Sequence, residues 1–197
     1  MQRRSQYEYP SIATLRELFS LVREDWVTHH SDWREPGFQA LLMYRIGLFH
    51  RGRPLGDWRA ALPRKALFVL YRWLHWRVRH RHGIELHASA HIGRRLFIPH
   101  GGTIIFGKFV HVGDDCMIRS GVTLGAANPD WIWGKGPRLG DDVHVGVNSC
   151  VLGSVTVGDG CRIGPNVTVF FDVRPGTKIV VHKPRVIEPS DQVVREE

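Results

Sequence analysis

From about Ile84 to Ile187, aliphatic and polar positions recur with a period of six. Large apolar residues stand at Ile92, Ile98, Phe106, Val112, Ile118, Leu124, Leu139, Val145, Val151, Val157, Ile163 and Val169. Gly often follows, as at Gly93, Gly107, Gly113, Gly125, Gly140, Gly146, Gly158 and Gly164. Four residues after the apolar one comes a small or branched side chain: Cys116, Val122, Val143, Ser149, Val155, Cys161, Val167, Val173. A repeat this short predicts a parallel β-helix, in which each hexad is a strand and a turn and three hexads complete a coil. The apolar residue and its i+4 partner point inward and stack on the coils above and below. The repeat glycines are expected to serve turns that need unusual backbone angles. A β-sandwich would place turns every 8–12 residues without strict phase.

The phase lapses twice. Ile98 to Phe106 is eight residues and contains His100-Gly101-Gly102; Leu124 to Leu139 is fifteen and contains residues 128–137. Insertions in a solenoid become surface loops, and loops on a rigid scaffold carry function.

Ahead of the repeat the apolar spacing turns helical. A helix is predicted over Ser11–Val27, with Thr14 and Glu17 as a capping box and Leu15, Leu18, Phe19 and Val22 as its apolar face. His29 and His30 at its end read as solvated polar residues. Pro36-Gly37 opens a second helix, Phe38 to about His50, and a third runs from about Pro63 to Arg81. The third carries Arg64, Lys65, Arg72, Arg77, Arg79 and Arg81 beside Trp73 and Trp76. It fits packing against the other helices or a second subunit, a peripheral membrane face, or, least well, nucleic acid, for which no recognised module accompanies the charge. The domain plan is a helical region over 1–82, a β-helix over 83–187 and a polar tail over 188–197.

Composition adds little. With 27 Lys and Arg against 19 Asp and Glu, the net charge of +8 favours anionic partners without choosing among them. Cys116 and Cys161 occupy inward positions and Cys150 an outward one, as expected of free thiols in a reduced compartment. No signal peptide and no bilayer span is expected, which points to the cytoplasm.

Two runs carry a resemblance: Ile84-Glu85-Leu86-His87-Ala88-Ser89-Ala90-His91-Ile92-Gly93-Arg94-Arg95, and Ile98-Pro99-His100. With Val122-Thr123-Leu124-Gly125, Val151-Leu152-Gly153 and Gly37-Phe38-Gln39-Ala40-Leu41 through Tyr44-Arg45-Ile46-Gly47, they resemble the serine acetyltransferase family of hexapeptide-repeat acyltransferases. The resemblance implies a mainly β chain: a left-handed parallel β-helix preceded by an α-helical region, assembled as a homotrimer or a dimer of trimers. It also implies acetyl transfer from acetyl-CoA, with no metal, His100 as general base and Glu85 as the carboxylate that orients it. The chemistry agrees, since an alcohol needs a base that titrates near neutral pH. The family pattern places CoA against Gly125, Ala126, Gly146, Ser149 and Gly164, with Lys183 and Arg185 toward its phosphates. His87, His91, His111 and His144 lack the bulge context and read as surface or supporting residues.

The acceptor side departs from that pattern. Pro99 replaces the family's Asp, and Lys135-Gly136-Pro137 replaces its Arg-His-Pro. Trp131, Trp133 and Lys135 are the candidate acceptor-binding residues, the rings set either to stack on a sugar face or to pack on a neighbouring subunit. The segment Asp32-Trp33-Arg34-Glu35-Pro36-Gly37 resembles the exopolysaccharide and colanic acid O-acetyltransferase branch. The expected function is therefore O-acetylation of a sugar hydroxyl in an exopolysaccharide or capsule precursor, with peripheral contact to the inner membrane face. The alternative is serine O-acetyltransferase of cysteine biosynthesis. Glu196-Glu197 replaces the Ile that docks family members into cysteine synthase, so no such docking is expected. A zinc scaffold is disfavoured by the absence of the His-x4-His spacing within the repeat.

Overall fold

The structure is a computed structural model that describes residues 10–52, 61–126 and 136–182, without the side chains of 61–64. Three helices come first: α1 (Leu15–Thr28), α2 (Pro36–Gly52) and α3 (Ala61–His82). Thr14 caps α1, its hydroxyl accepting from Glu17 N at 3.2 Å while Glu17 Oε2 accepts from Ala13 N. That is the expected capping box, with its return bond shifted by one residue. Pro36 sits at the first helical position of α2, where its missing N–H costs nothing.

Thirteen short strands follow among the described residues: β1 (Ile84–Leu86), β2 (His91–Ile92), β3 (Ile104–Phe106), β4 (His111–Val112), β5 (Met117–Ile118), β6 (Thr123–Gly125), β7 (Arg138–Leu139), β8 (His144–Val145), β9 (Cys150–Leu152), β10 (Thr156–Val157), β11 (Arg162–Ile163), β12 (Thr168–Val169) and β13 (Lys178–Ile179). They form three parallel sheets, each one face of a prism. Face A is β1-β3-β6-β9-β12, face B is β2-β4-β7-β10 and face C is β5-β8-β11-β13. Ile105 pairs with Thr123 and Cys150 with Thr168, so an unmodified coil is eighteen residues. This architecture fits a left-handed β-helix behind a helical region. A mainly β class is not established among the described residues, however. Helices of 14, 17 and 22 residues outweigh strands of two or three residues, because hexad turns consume most of each coil.

The inward stack matches the sequence pattern. Leu86, Phe106, Leu124, Val151 and Val169 line face A, and Ile92, Val112, Leu139, Val157 and Val173 line face B, all buried. Each contributes on the order of 1.5–3 kcal/mol of burial. Cys116 and Cys161 sit among them, and burial pushes the Cys116 thiol up to about 12.

Two features differ from expectation. None of the repeat glycines has a positive φ; a left-handed residue falls two places later at Arg95, Phe109, Asp115, Asp142, Asn148, Gly160 and Asn166, and at the equivalent point of hexads without that glycine, at Gly121 and Gly176. Gly93, Gly113 and Gly140 answer a need for space, whereas Gly125 has none of this crowding. At the corner between faces B and C, Asp114 Oδ1 accepts from Arg94 N, Asp141 Oδ1 from Asp114 N and Asp159 Oδ1 from Asp141 N, at 2.7–2.9 Å. A Cβ on Gly93, Gly113 or Gly140 would collide with the carboxylate of this ladder. The second difference is a third lapse in phase. Val173 is not the i+4 partner of Val169. It bridges to Val157, and Arg162 pairs with Lys178, each sixteen residues on, so the last coil is two residues short.

The helices are welded to the first coil by polar groups that leave water together. Arg45, on the buried side of α2, pairs with Asp25 of α1 (Nε to Oδ2 3.0 Å) and donates to the carbonyls of Ile92 and Gly93. Both side chains are almost fully buried, at 3% and 1% exposure. Burial pushes the Asp25 carboxyl upward, and Arg45 opposes that shift. Tyr44 donates to Ala90 O from the same turn of α2.

Candidate active site

His100 stands where the chain leaves face C and has two extra residues before β3 on face A. Its side chain is exposed. The backbone around it is fixed at both ends. Ahead of it, Ile98 is fully buried and donates its N–H to His29 Nε2 at 3.2 Å. Behind it, Gly102 N donates to His82 O, the last residue of α3, at 2.7 Å, and Ile104 N donates to Gly83 O. Ser120 Oγ, one coil below, donates to Gly101 O at 2.8 Å. Gly102 takes φ +101°, a conformation that a β-carbon would strain. His82 Nε2 in turn donates to Gln39 Oε1 of α2. A small rigid loop thus presents one free imidazole, the arrangement a general base requires.

His29 was expected to be solvated, yet it is 0% exposed. Its Nδ1–H donates to Asp25 O at 2.7 Å, which leaves Nε2 as the acceptor for Ile98. The ring packs against Phe97 at 5.4 Å. Gly37 is the close approach that admits this ring, since a Cβ there would collide with His29 Nε2 and Ile98 O. Burial depresses the His29 pKa, so the neutral ring is favoured. No local pattern marks this residue, because its partner is a backbone amide 69 positions away. Arg45 did leave a signal: an arginine on the apolar side of α2 must find a charge partner if buried.

Glu85 lies on β1, which pairs directly with β3, so it is on the coil adjacent to His100. Its carboxylate meets Arg79 Nε at 3.5 Å, and the chain does not bring it into hydrogen-bond contact with His100. The predicted CoA-facing residues divide between two corners. Gly146, Ser149 and Gly164 belong to the corner between faces C and A, the one that carries His100, on lower coils. Gly125 and Ala126 lie on the far edge of face A. Ser149 is fully buried, and its hydroxyl donates to Gly164 O and accepts from Val167 N. It therefore ties coils together and offers a ligand no side chain. Trp131, Trp133, Lys135, Lys183 and Arg185 lie outside the described residues. Among the described residues, no group of three or more His, Cys, Asp or Glu side chains is placed to hold a metal ion.

Comparison with known proteins agrees with this geometry. The family described as bacterial transferase hexapeptide (six repeats) matches residues 136–170. Serine acetyltransferase of Helicobacter pylori is 38% identical over 152 residues, covering 77% of this chain and 81% of the relative. The serine acetyltransferase of Bacillus subtilis is 35% identical over 138 residues, covering 68% of this chain and 62% of the relative. Among solved structures, Neisseria gonorrhoeae serine acetyltransferase in complex with serine superposes with a TM-score of 0.65 at 25% identity, covering 86% of this chain and 69% of that one. Entamoeba histolytica serine acetyltransferase isoform 3 gives 0.69 at 22% identity; the chain spans only 62% of its length. These relatives overturn the expectation of a sugar acceptor in exopolysaccharide or capsule synthesis. That expectation gave Pro99, Trp131, Trp133, residues 135–137 and the 32–37 segment more weight than similarity sustained over 152 residues. The His100 bulge, its coil scaffold and the extent of this similarity establish that the chain is an acyltransferase belonging to the serine acetyltransferase family.

Proposed function

We propose that the chain transfers the acetyl group of acetyl-CoA to the hydroxyl of L-serine, with His100 as general base. The observation that carries this is the single rigid bulge that presents His100, in a chain 38% identical to a serine acetyltransferase. His100 takes the hydroxyl proton as the oxygen attacks the thioester carbonyl. Backbone N–H groups near the bulge stabilise the resulting oxyanion. Collapse of the intermediate expels the CoA thiolate, which recovers the proton from the imidazolium. Glu85 orients and steadies the ring, which requires its carboxylate to turn from Arg79. Gly146 and Gly164 lie two and three coils below the bulge, the latter about 14 Å away at the spacing of β-strands. That corner would hold the pantetheine arm through backbone groups.

The two insertions stand on opposite edges of face A. A site that uses both is completed by a neighbouring subunit, which favours the homotrimer. Assaying CoA release with L-serine tests the proposal. Saturable turnover that depends on both substrates is expected, and a rate no higher than without acceptor would overturn it.

We also propose that the outer face of α3 meets an anionic membrane surface. Phe68, Val69, Trp73 and Trp76 are exposed there beside Lys65 and Arg72, and α3 contains no Asp or Glu. A second copy of this helix would set cations against cations, whereas anionic lipid complements them and accepts the indole rings. Flotation with phosphatidylglycerol vesicles at low salt should carry the protein upward. Phosphatidylcholine vesicles should not. Absence of flotation with the anionic vesicles would remove the proposal.

A further inference from the structure

The helical region holds the first residue of the His100 bulge through one imidazole. Ile98 is buried, so its N–H has no access to water and depends on His29 Nε2. The acceptor exists only in the neutral Nδ1–H tautomer, which the bond to Asp25 O selects. We propose that His29 is a positioning residue for His100: its neutral ring fixes Ile98, and protonation of the ring releases the start of the bulge.

Protonated His29 would present Nε2–H to the N–H of Ile98, two donors face to face. The groups around it set when this happens. Asp25 lies one turn earlier on α1, with its carboxylate engaged by Arg45 of α2. Asp25 and Glu35 favour the charged ring, His30 disfavours it, and burial outweighs all of these to hold the ring neutral. From the coil side, the contacts are Phe97 and the Ile98 backbone, neither of them titratable. A second restraint, from His82 O to Gly102 N, holds the far end of the bulge, so loss of the first loosens the loop without unfolding it. The effect on catalysis is geometric, since misplacing a base by about 1 Å can cost on the order of a hundredfold in rate.

The inference rests on His100 as the base, and the experiment separates the two. His29→Gln supplies an amide oxygen that does not titrate, and His29→Leu supplies no acceptor. Both are compared with wild type for kcat, both KM values, melting temperature and oligomer size from pH 5 to 8. At pH 7.5, His29→Leu should lose tenfold or more in kcat, with each KM within twofold, and His29→Gln should restore most of that loss. As pH falls, the acid limb of kcat/KM should steepen from one proton to two in wild type and stay at one in His29→Gln. Wild-type kcat in His29→Leu, or equal losses in both variants, would overturn the role. So would a loss of kcat that merely follows the fraction of unfolded protein. If His29→Leu fails to fold, the two slopes decide, and identical slopes in wild type and His29→Gln overturn it. A fully active His100→Ala would sink the base assignment instead.

Discussion

His100→Ala should lower kcat with L-serine by roughly two to four orders of magnitude, the range that a general base supplies. That corresponds to about 2.7–5.4 kcal/mol of transition-state stabilisation. The melting temperature should scarcely change. The side chain is exposed, and the bulge is held by backbone bonds that the substitution leaves intact. Steady-state kinetics with calorimetry on the same sample tests both halves. A variant that keeps more than a tenth of wild-type kcat would show that the imidazole does not take the proton.

Arg45→Met should destabilise the protein by about 3–5 kcal/mol, the cost of leaving a buried charge without its partner. Asp25 would keep its burial and lose the group that opposes its upward pKa shift. The carbonyls of Ile92 and Gly93 would also lose their donor, at the junction between α2 and the first coil. Replacing both members, Asp25→Leu with Arg45→Met, should recover most of the loss, because well-packed apolar residues can substitute for a buried pair. Denaturant melts of the two variants provide the measurement. A single variant within about 1 kcal/mol of wild type would mean that this pair does not hold the helices to the coil.

The coil was legible because its signal is periodic and repeated. Twelve apolar positions in phase leave little freedom, and an insertion announces itself as a lapse. A deletion hides better. Val169 to Val173 is four residues, the same step that separates the two inward positions of one hexad, so the shortened last coil looks regular. The placement of Gly176 three residues after Val173 marks it, but only once the left-handed position is known. The repeat glycines misled for a related reason: glycine's two virtues, free φ and small size, look alike in a sequence. The aspartates that demand the second one, Asp114, Asp141 and Asp159, stand on the coil below the glycines they crowd, Gly93, Gly113 and Gly140. At the site, His100 was visible because it breaks a rule, whereas His29 and Ser120 act through backbone groups that leave no trace in side-chain patterns.

The way the strands close around the long insertion has an evolutionary consequence. Thr123 on face A pairs in register with Ile105 and Cys150, and Arg138 pairs in register with His111 and Thr156, whatever the chain does between Gly125 and Gly136. Strand pairing thus carries the coil register across that segment. A lineage could therefore vary that segment while inheriting the strand register and the buried stack on either side.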